Sequence, residues 1–169
     1  MNSAFTDNVN YKILNNPYWH EGVEDITAYD FLNTGNVIIS KINLLQKTKA
    51  RYEEIADSTN GSNYENIGAY DKYRERKAGF IKWIDKIMAV EKKIERFTAL
   101  LETWVKLANS QIDLIDNVDY SIILKCRFIE QMSYEDISDR IYVSLATVKR
   151  WLRHAINDFG KVNNYKIEK

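Results

Sequence analysis

The stretch SYEDISDRIYVSLATVKRWLRHAI, residues 133–156, contains two segments with helical spacing and a short break between them. Ser133 followed by Asp136 resembles a capping box, with Asp in place of the usual Glu, so a helix is predicted to begin at Tyr134. Ser144 offers an N-cap for a second helix. Two helices joined by about three or four residues form a helix-turn-helix, and this motif is the prediction on which the fold depends.

Apolar residues occupy the inward side of both helices of this motif. Their spacing places the following side chains on the core-facing sides of the helical wheels: Ile137, Ile141, Val148, Leu152, Ala155 and Phe159. The segment before the motif, residues 119–131, is predicted to be a helix that completes a three-helix core, because Tyr120, Leu124 and Phe128 share one face. A second apolar stripe on that helix is predicted to pack against the long helices or a second subunit, and it consists of Ile122, Cys126 and Ile129.

The outward side of the second helix is basic or small. No acidic residue occurs from 144 through 157, although the chain has 24 basic and 24 acidic residues in all. An α-helix fits the major groove of DNA, where Arg can bridge the acceptors of guanine and a helix N-terminus can hold a phosphate. Two other interpretations stay open, a solvated helix face and a helix-turn-helix that contacts a protein. The predicted DNA contacts are Ser144, Ala146, Thr147, Lys149, Arg150, Arg153, His154 and Asn157.

Two long helices are predicted to precede the motif. After a short helix over residues 25–33 and a break at Gly35, apolar residues keep helical spacing as far as a polar loop at 57–71. From about 72 to 109 they again recur every three or four positions. A helix of that length exceeds what a small globular domain buries, which indicates a coiled-coil hairpin or an oligomer stalk. The spacing does not distinguish a partner helix in the same chain from one in a second subunit.

The composition agrees with an all-α protein, because 169 residues contain only six Gly and one Pro. We predict a long helical hairpin followed by a C-terminal three-helix domain. The four expected parts are an N-terminal arm and short helix at 1–36, the hairpin and oligomerisation region at 37–118, the helix-turn-helix domain at 119–160, and a tail at 161–169.

Several classes of function lack their usual sequence signals. No run approaches the roughly 18 apolar residues of a membrane span, and the N-terminus lacks the pattern of a secretory signal, so we expect a cytoplasmic protein without membrane contact. Cys126 is the single cysteine, which excludes an intrachain disulfide and a multi-cysteine metal cluster. His20 and His154 lie far apart, and no Gly-rich phosphate loop occurs. We therefore expect no catalytic residues, no metal and no cofactor.

Residues 120–156, YSIILKCRFIEQMSYEDISDRIYVSLATVKRWLRHAI, resemble the C-terminal domain of phage late-gene transcription regulators of the ArpU and RinA type. Those domains are in turn similar to region 4 of bacterial sigma factors. Two positions depart from the usual pattern, since Tyr142 stands where Gly is common in the turn and Ser138 where Ala is common in the first helix. Either the turn differs slightly or packing of Tyr142 compensates for its left-handed backbone. The similarity runs through Leu124, Arg127, Phe128, Ser133, Glu135, Ile137, Ser144, Thr147, Val148 and Ala155.

The resemblance implies a sequence-specific transcription activator of phage or prophage late genes, acting in the bacterial host cytoplasm. Such a protein would bind double-stranded DNA through residues 144–157, would form a homo-oligomer through its long helices, and would have RNA polymerase as a further candidate partner. The alternative is a DNA-packaging oligomer such as a small terminase subunit. In those proteins the DNA-binding part usually comes first, so the order of segments here favours the regulator.

Overall fold

The computed structural model describes residues 26–60 and 70–165, and the described residues are almost entirely helical. The all-α class is confirmed. A π-helical turn, Lys125–Ile129, follows the third helix directly. Among the helices of the described ranges, none combines the length and the apolar character needed to cross a bilayer. The α-helices are α1 (Ala28–Asn60), α2 (Tyr70–Ile112), α3 (Val118–Leu124), α4 (Tyr134–Ile141) and α5 (Leu145–Asn163).

Helix α1 corrects the prediction of a short helix followed by a break. Its start is capped by Thr27, whose Oγ1 accepts a hydrogen bond from the Asp30 backbone N–H at 3.1 Å. The helix then continues through Gly35 to Asn60 without interruption. Gly35 serves close packing here, because a Cβ at this position would lie 2.3 Å from the indole ring of Trp104. The predicted arm at 1–25 lies outside the described residues.

Residues 39–99 form one of two compact units, in which α1 and α2 pair in antiparallel orientation. Lys49 Nζ lies 2.7 Å from Glu91 Oε1, and the rings of Tyr52 and Trp83 are 5.5 Å apart. The partner of the first long helix is therefore the second helix of the same chain. Among the residues of this unit whose burial the structure describes, the buried apolar side chains are Ile42, Ala56, Ile87, Val90 and Phe97, whereas Leu44, Ile81, Ile84 and Met88 stay exposed.

The other compact unit comprises the described residues up to 38 and those from 100 onward. An aromatic stack ties its first helix to its last, since Phe31 lies 5.8 Å from Phe159 and 5.1 Å from Tyr165, measured between ring centroids. Tyr165 donates from its hydroxyl to Gln111 Oε1 at 3.1 Å, and burial raises the pKa of this phenol. Most of the predicted tail at 161–169 is thus part of the folded unit, because α5 continues to Asn163.

The π-helical turn changes which residues after α3 share a face. Its wide hydrogen bond joins the Glu130 N–H to the Lys125 carbonyl at 3.0 Å, five residues apart, where an α-helix would use four. The extra residue rotates the following side chains away from the positions that a 3.6-residue period assigns to them. This turn lies between α3 and the helix-turn-helix, so it decides how the two are connected.

The predicted second stripe of Ile122, Cys126 and Ile129 is not uniformly buried among the described residues. Ile122 is 40% exposed, whereas Cys126 is 2% exposed. Burial raises the pKa of the Cys126 thiol, and the Cys126 carbonyl accepts a hydrogen bond from the Met132 N–H at 2.9 Å. Phe128 meets the edge of Tyr29 on α1, with ring centroids 6.1 Å apart. Ile122 and Cys126, which the helical wheel places on one face, thus differ in their burial.

Candidate nucleic-acid interface

The two helices of the motif begin at the caps that the sequence indicates. The Asp136 N–H donates to Ser133 Oγ at 3.1 Å, and the Ser133 N–H donates to the Asp136 carboxylate at 3.2 Å, which completes the capping box. On α5 the Thr147 N–H donates to Ser144 Oγ at 3.2 Å. Each cap satisfies an N–H group that would otherwise lack a partner, so the positions at which α4 and α5 start are fixed locally.

The inward side of α5 is held against both α3 and α4. Val148, Ala155 and Phe159 are completely buried, as is Ile137 on α4. Full burial of a side chain as large as Val, Ile or Phe contributes about 1.5–3 kcal/mol to the free energy of unfolding. Helix α5 is therefore fixed along one side, and its opposite side is presented to solvent.

The turn between α4 and α5 contains a non-glycine residue in the left-handed region. Tyr142 has φ 55° and ψ 41°, and its side chain is 94% exposed. Such a backbone costs about 1–2 kcal/mol for a non-glycine residue, and an exposed ring cannot offset that cost by packing. Ser138 supplies the compensation, because its Oγ donates to the Val143 carbonyl at 2.5 Å while its carbonyl accepts from the Val143 N–H at 3.2 Å. Ser138 and Tyr142, the two positions that depart from the pattern of the regulators that the sequence resembles, thus meet in one turn.

Ser138→Ala is expected to lower the free energy of unfolding by about 1 kcal/mol, because the Val143 carbonyl loses its donor. Tyr142→Gly is expected to raise it by about 0.5–1 kcal/mol, since glycine adopts the left-handed backbone without steric cost. Urea unfolding followed by circular dichroism measures both. Ser58→Ala serves as the control, because Ser58 donates to the Ile55 carbonyl within a regular helix. A loss of stability in Tyr142→Gly would show that the exposed ring stabilises the fold.

The predicted contact residues on α5 differ in their exposure and in whether they take part in the helix cap. Ala146, Arg150 and Arg153 lie at its centre and are exposed. The hydroxyls of Ser144 and Thr147 lie 2.9 Å apart and are engaged in the helix cap. Thr147 and Asn157 are half-buried, which reduces the surface that they offer, while Ser144, Lys149 and His154 are exposed. The centre of the face is thus one small residue beside two guanidinium groups.

No carboxylate in the described ranges lies within ion-pair distance of Arg150 or Arg153. Arg140 on α4 differs from these two arginines, because it is paired with Glu130. The hydrogen bond to Glu130 raises the pKa of the Arg140 guanidinium. The positive charge on the outward side of α5 is therefore uncompensated by neighbouring acids. An uncompensated cluster of this kind attracts anions at short range even in a protein of zero net charge.

Two aromatic residues lie at the edges of this outward face. The Tyr134 ring lies 5.7 Å from Lys149 Nζ, and the Tyr120 ring stacks on His154 with centroids 6.5 Å apart. Arg127 also lies over Tyr134, at 4.7 Å from its Cζ to the ring centroid. The prediction of site residues did not include Arg127 or Tyr134, because their meeting depends on the π-helical turn, for which the helical wheel gives no signal.

The described residues contain no group of three or more His, Cys, Asp or Glu side chains placed to hold a metal ion. The buried Cys126 has a raised thiol pKa, so it is protonated at neutral pH and a poor nucleophile.

Residues 78–160, just under half of the chain, match the model of a family described as a protein of unknown function, DUF1492. The matched segment includes the greater part of α2 and the helix-turn-helix except for the last three residues of α5. No curated protein and no solved structure matches the chain. The similarity therefore relates the segment that carries the basic face to a family, and it assigns no activity.

Proposed function

We propose that this protein is a sequence-specific regulator of transcription that binds double-stranded DNA with α5 in the major groove. The observation that carries the proposal is the outward face of α5, where exposed Arg150 and Arg153 lie about one and two turns after small Ala146 and have no acidic partner in the described ranges. No catalytic role is part of the proposal. The resemblance to phage late-gene regulators extends it to activation of phage or prophage late genes in a bacterial host cytoplasm, with RNA polymerase as a candidate partner.

The physical support is the match between the face and a groove. A major groove about 12 Å wide admits one α-helix, and Arg can donate two hydrogen bonds to O6 and N7 of guanine. Ala146 lies in the first turn of α5, where a small side chain lets the backbone approach the base edges. The backbone N–H groups in that first turn that the Ser144 cap does not use can donate hydrogen bonds to a phosphate, which would fix the register of the helix.

The same geometry disfavours the two other interpretations of the basic face. A merely solvated face usually mixes acids with bases, whereas residues 144–157 contain no acid. A face that contacts protein would be expected to carry large apolar or aromatic side chains at its centre, and its centre here is Ala146 with two arginines. DNA is the partner that fits this composition.

A DNA-packaging oligomer, such as a small terminase subunit, is the second candidate. It is favoured by the long paired helices and by the apolar side chains that they leave exposed, among them Leu44 and Met88 at 65% and 49% exposure. Self-association through this unit belongs to both proposals, because linking two DNA-binding units raises the effective affinity for paired sites. Light scattering of the full chain tests it.

Selection of bound DNA from a random duplex pool tests the proposal directly. We expect enrichment of one short site. If the protein is a dimer, the site should occur twice, with the two copies separated by about one turn of the DNA double helix or a multiple of it. Mapping of that site upstream of late genes would support the regulator, and clustering at a packaging origin would favour the alternative. Failure to enrich any sequence would contradict sequence-specific binding.

A further inference from the structure

Three side chains from separate segments meet beside the N-terminus of α4. Arg127 comes from the π-helical turn, Tyr134 is the first residue of α4, and Lys149 belongs to α5. The Arg127 Cζ and the Lys149 Nζ lie 4.7 Å and 5.7 Å from the centroid of the same tyrosine ring. Cation–π contacts at these distances are attractive, so the ring favours the observed positions of both cations.

Arg127 is positioned without a carboxylate. One of its terminal nitrogens donates to the Met132 carbonyl at 2.8 Å, and no ion pair among the described residues includes Arg127 or Lys149. Asp136, the acid of the α4 capping box, accepts hydrogen bonds from the hydroxyl and the N–H of Ser133, at 2.7 and 3.2 Å. Two positive side chains therefore share one ring without neutralisation, and their repulsion would be relieved by an anion between or beside them.

A guanidinium group has five N–H donors in a rigid planar arrangement, and the Met132 carbonyl uses one of them. The remaining donors suit the oxygens of a phosphate, to which Arg binds in bidentate geometry. Lys149 occupies one edge of the outward face of α5, so the cluster extends that face toward the N-terminus of α4. A DNA strand bordering the groove that α5 enters would pass along this side.

We propose that Arg127 and Lys149, positioned by Tyr134, bind a backbone phosphate of DNA next to the groove occupied by α5. This inference rests on the proposed function and adds to it a contact that carries no base specificity. Arg127 thereby becomes a DNA-binding residue outside the helix-turn-helix itself. Arg127 lies within the π-helical turn, so positioning this residue would be a functional role of that wide turn.

The salt dependence of binding to a duplex of mixed sequence tests the contact. Each phosphate contact adds about 0.9 to the slope of log Kd against log of the sodium chloride concentration. Arg127→Gln is expected to lower that slope by about 0.9 and to weaken binding at low salt roughly tenfold, equally for all sequences. Tyr134→Phe keeps the ring and should bind like the parent protein.

Lys125→Gln is the matched control, because Lys125 lies in the same π-helical turn but is paired with Asp113 at 2.6 Å. Removing its charge should leave the slope unchanged. Circular dichroism checks the folding of each variant, and Arg127→Met, whose unbranched chain can stay on the ring, replaces Arg127→Gln if the latter does not fold. If the folded Arg127 variant keeps the parent slope, the phosphate contact is refuted. If the parent protein itself binds no duplex at low salt, the proposed function fails instead.

Discussion

Trp104→Ala lowers the free energy of unfolding by about 3–5 kcal/mol in our expectation, which is the range for removing a buried Trp or Phe. Trp104 is 1% exposed, and its Nε1 donates to the Phe31 carbonyl at 3.0 Å. The substitution leaves a large cavity between α1 and α2 and removes this hydrogen bond. Urea unfolding followed by far-ultraviolet circular dichroism measures the loss.

Trp83→Ala is the matched control for this prediction. Trp83 lies on the same helix, is half-buried, and contacts Tyr52 with ring centroids 5.5 Å apart. Its removal should cost clearly less, because less apolar area returns to water. Gly35→Ala tests the same packing from the other side, since its Cβ would lie 2.3 Å from the Trp104 ring. Equal small losses in Trp104→Ala and Trp83→Ala would contradict the view that Trp104 is central to its unit.

Arg150→Ala and Arg153→Ala are each expected to weaken binding to the selected DNA site by about 1–3 kcal/mol, because both guanidinium groups lie at the centre of the exposed face. This corresponds to roughly 5- to 150-fold in Kd. Folding should be nearly unchanged, since neither side chain is buried. Fluorescence anisotropy with the selected duplex and with a scrambled duplex measures affinity and specificity together.

The control for these variants is Arg51→Ala, which removes the same type of charge from an exposed position on α1, in the other compact unit. It should leave Kd within about twofold, because Arg51 is not part of the outward face of α5 that the proposal places in the groove. Equal losses for all three variants would indicate a diffuse charge effect. A loss that appears only together with reduced helicity would show that the arginines act through folding.

Much of the helix-turn-helix could be predicted because its signals are local. The capping box at Ser133 and Asp136, the cap at Ser144, and the apolar positions of α5 each depend on residues within a few positions of one another. Local hydrogen bonds and the 3.6-residue period fix such elements wherever they occur. For the same reason the composition of the outward face of α5 could be read from the sequence before any packing was known.

The structure differed from the sequence prediction where a distant residue decides the outcome. Gly35 reads as a break in isolation, yet α1 continues through it because Trp104, 69 positions later, packs on its bare backbone. The prediction left the partner of the long helices open, since an apolar stripe is the same whether it meets a helix of its own chain or of another. The pairing of Tyr52 with Trp83 supplies that answer.

The sequence by itself determined the helical class, the starts of α4 and α5, and the basic outward face, because capping and helical periodicity act over a few residues. Only the tertiary structure decided the passage of α1 through Gly35, the π-helical turn at Lys125–Ile129, and the meeting of Arg127, Tyr134 and Lys149. In each of these, contacts with side chains from another helix or turn override the geometry that a short stretch of sequence favours by itself. The physical reason is that burial of side chains such as Cys126 and Phe128 outweighs the small cost of one wide turn.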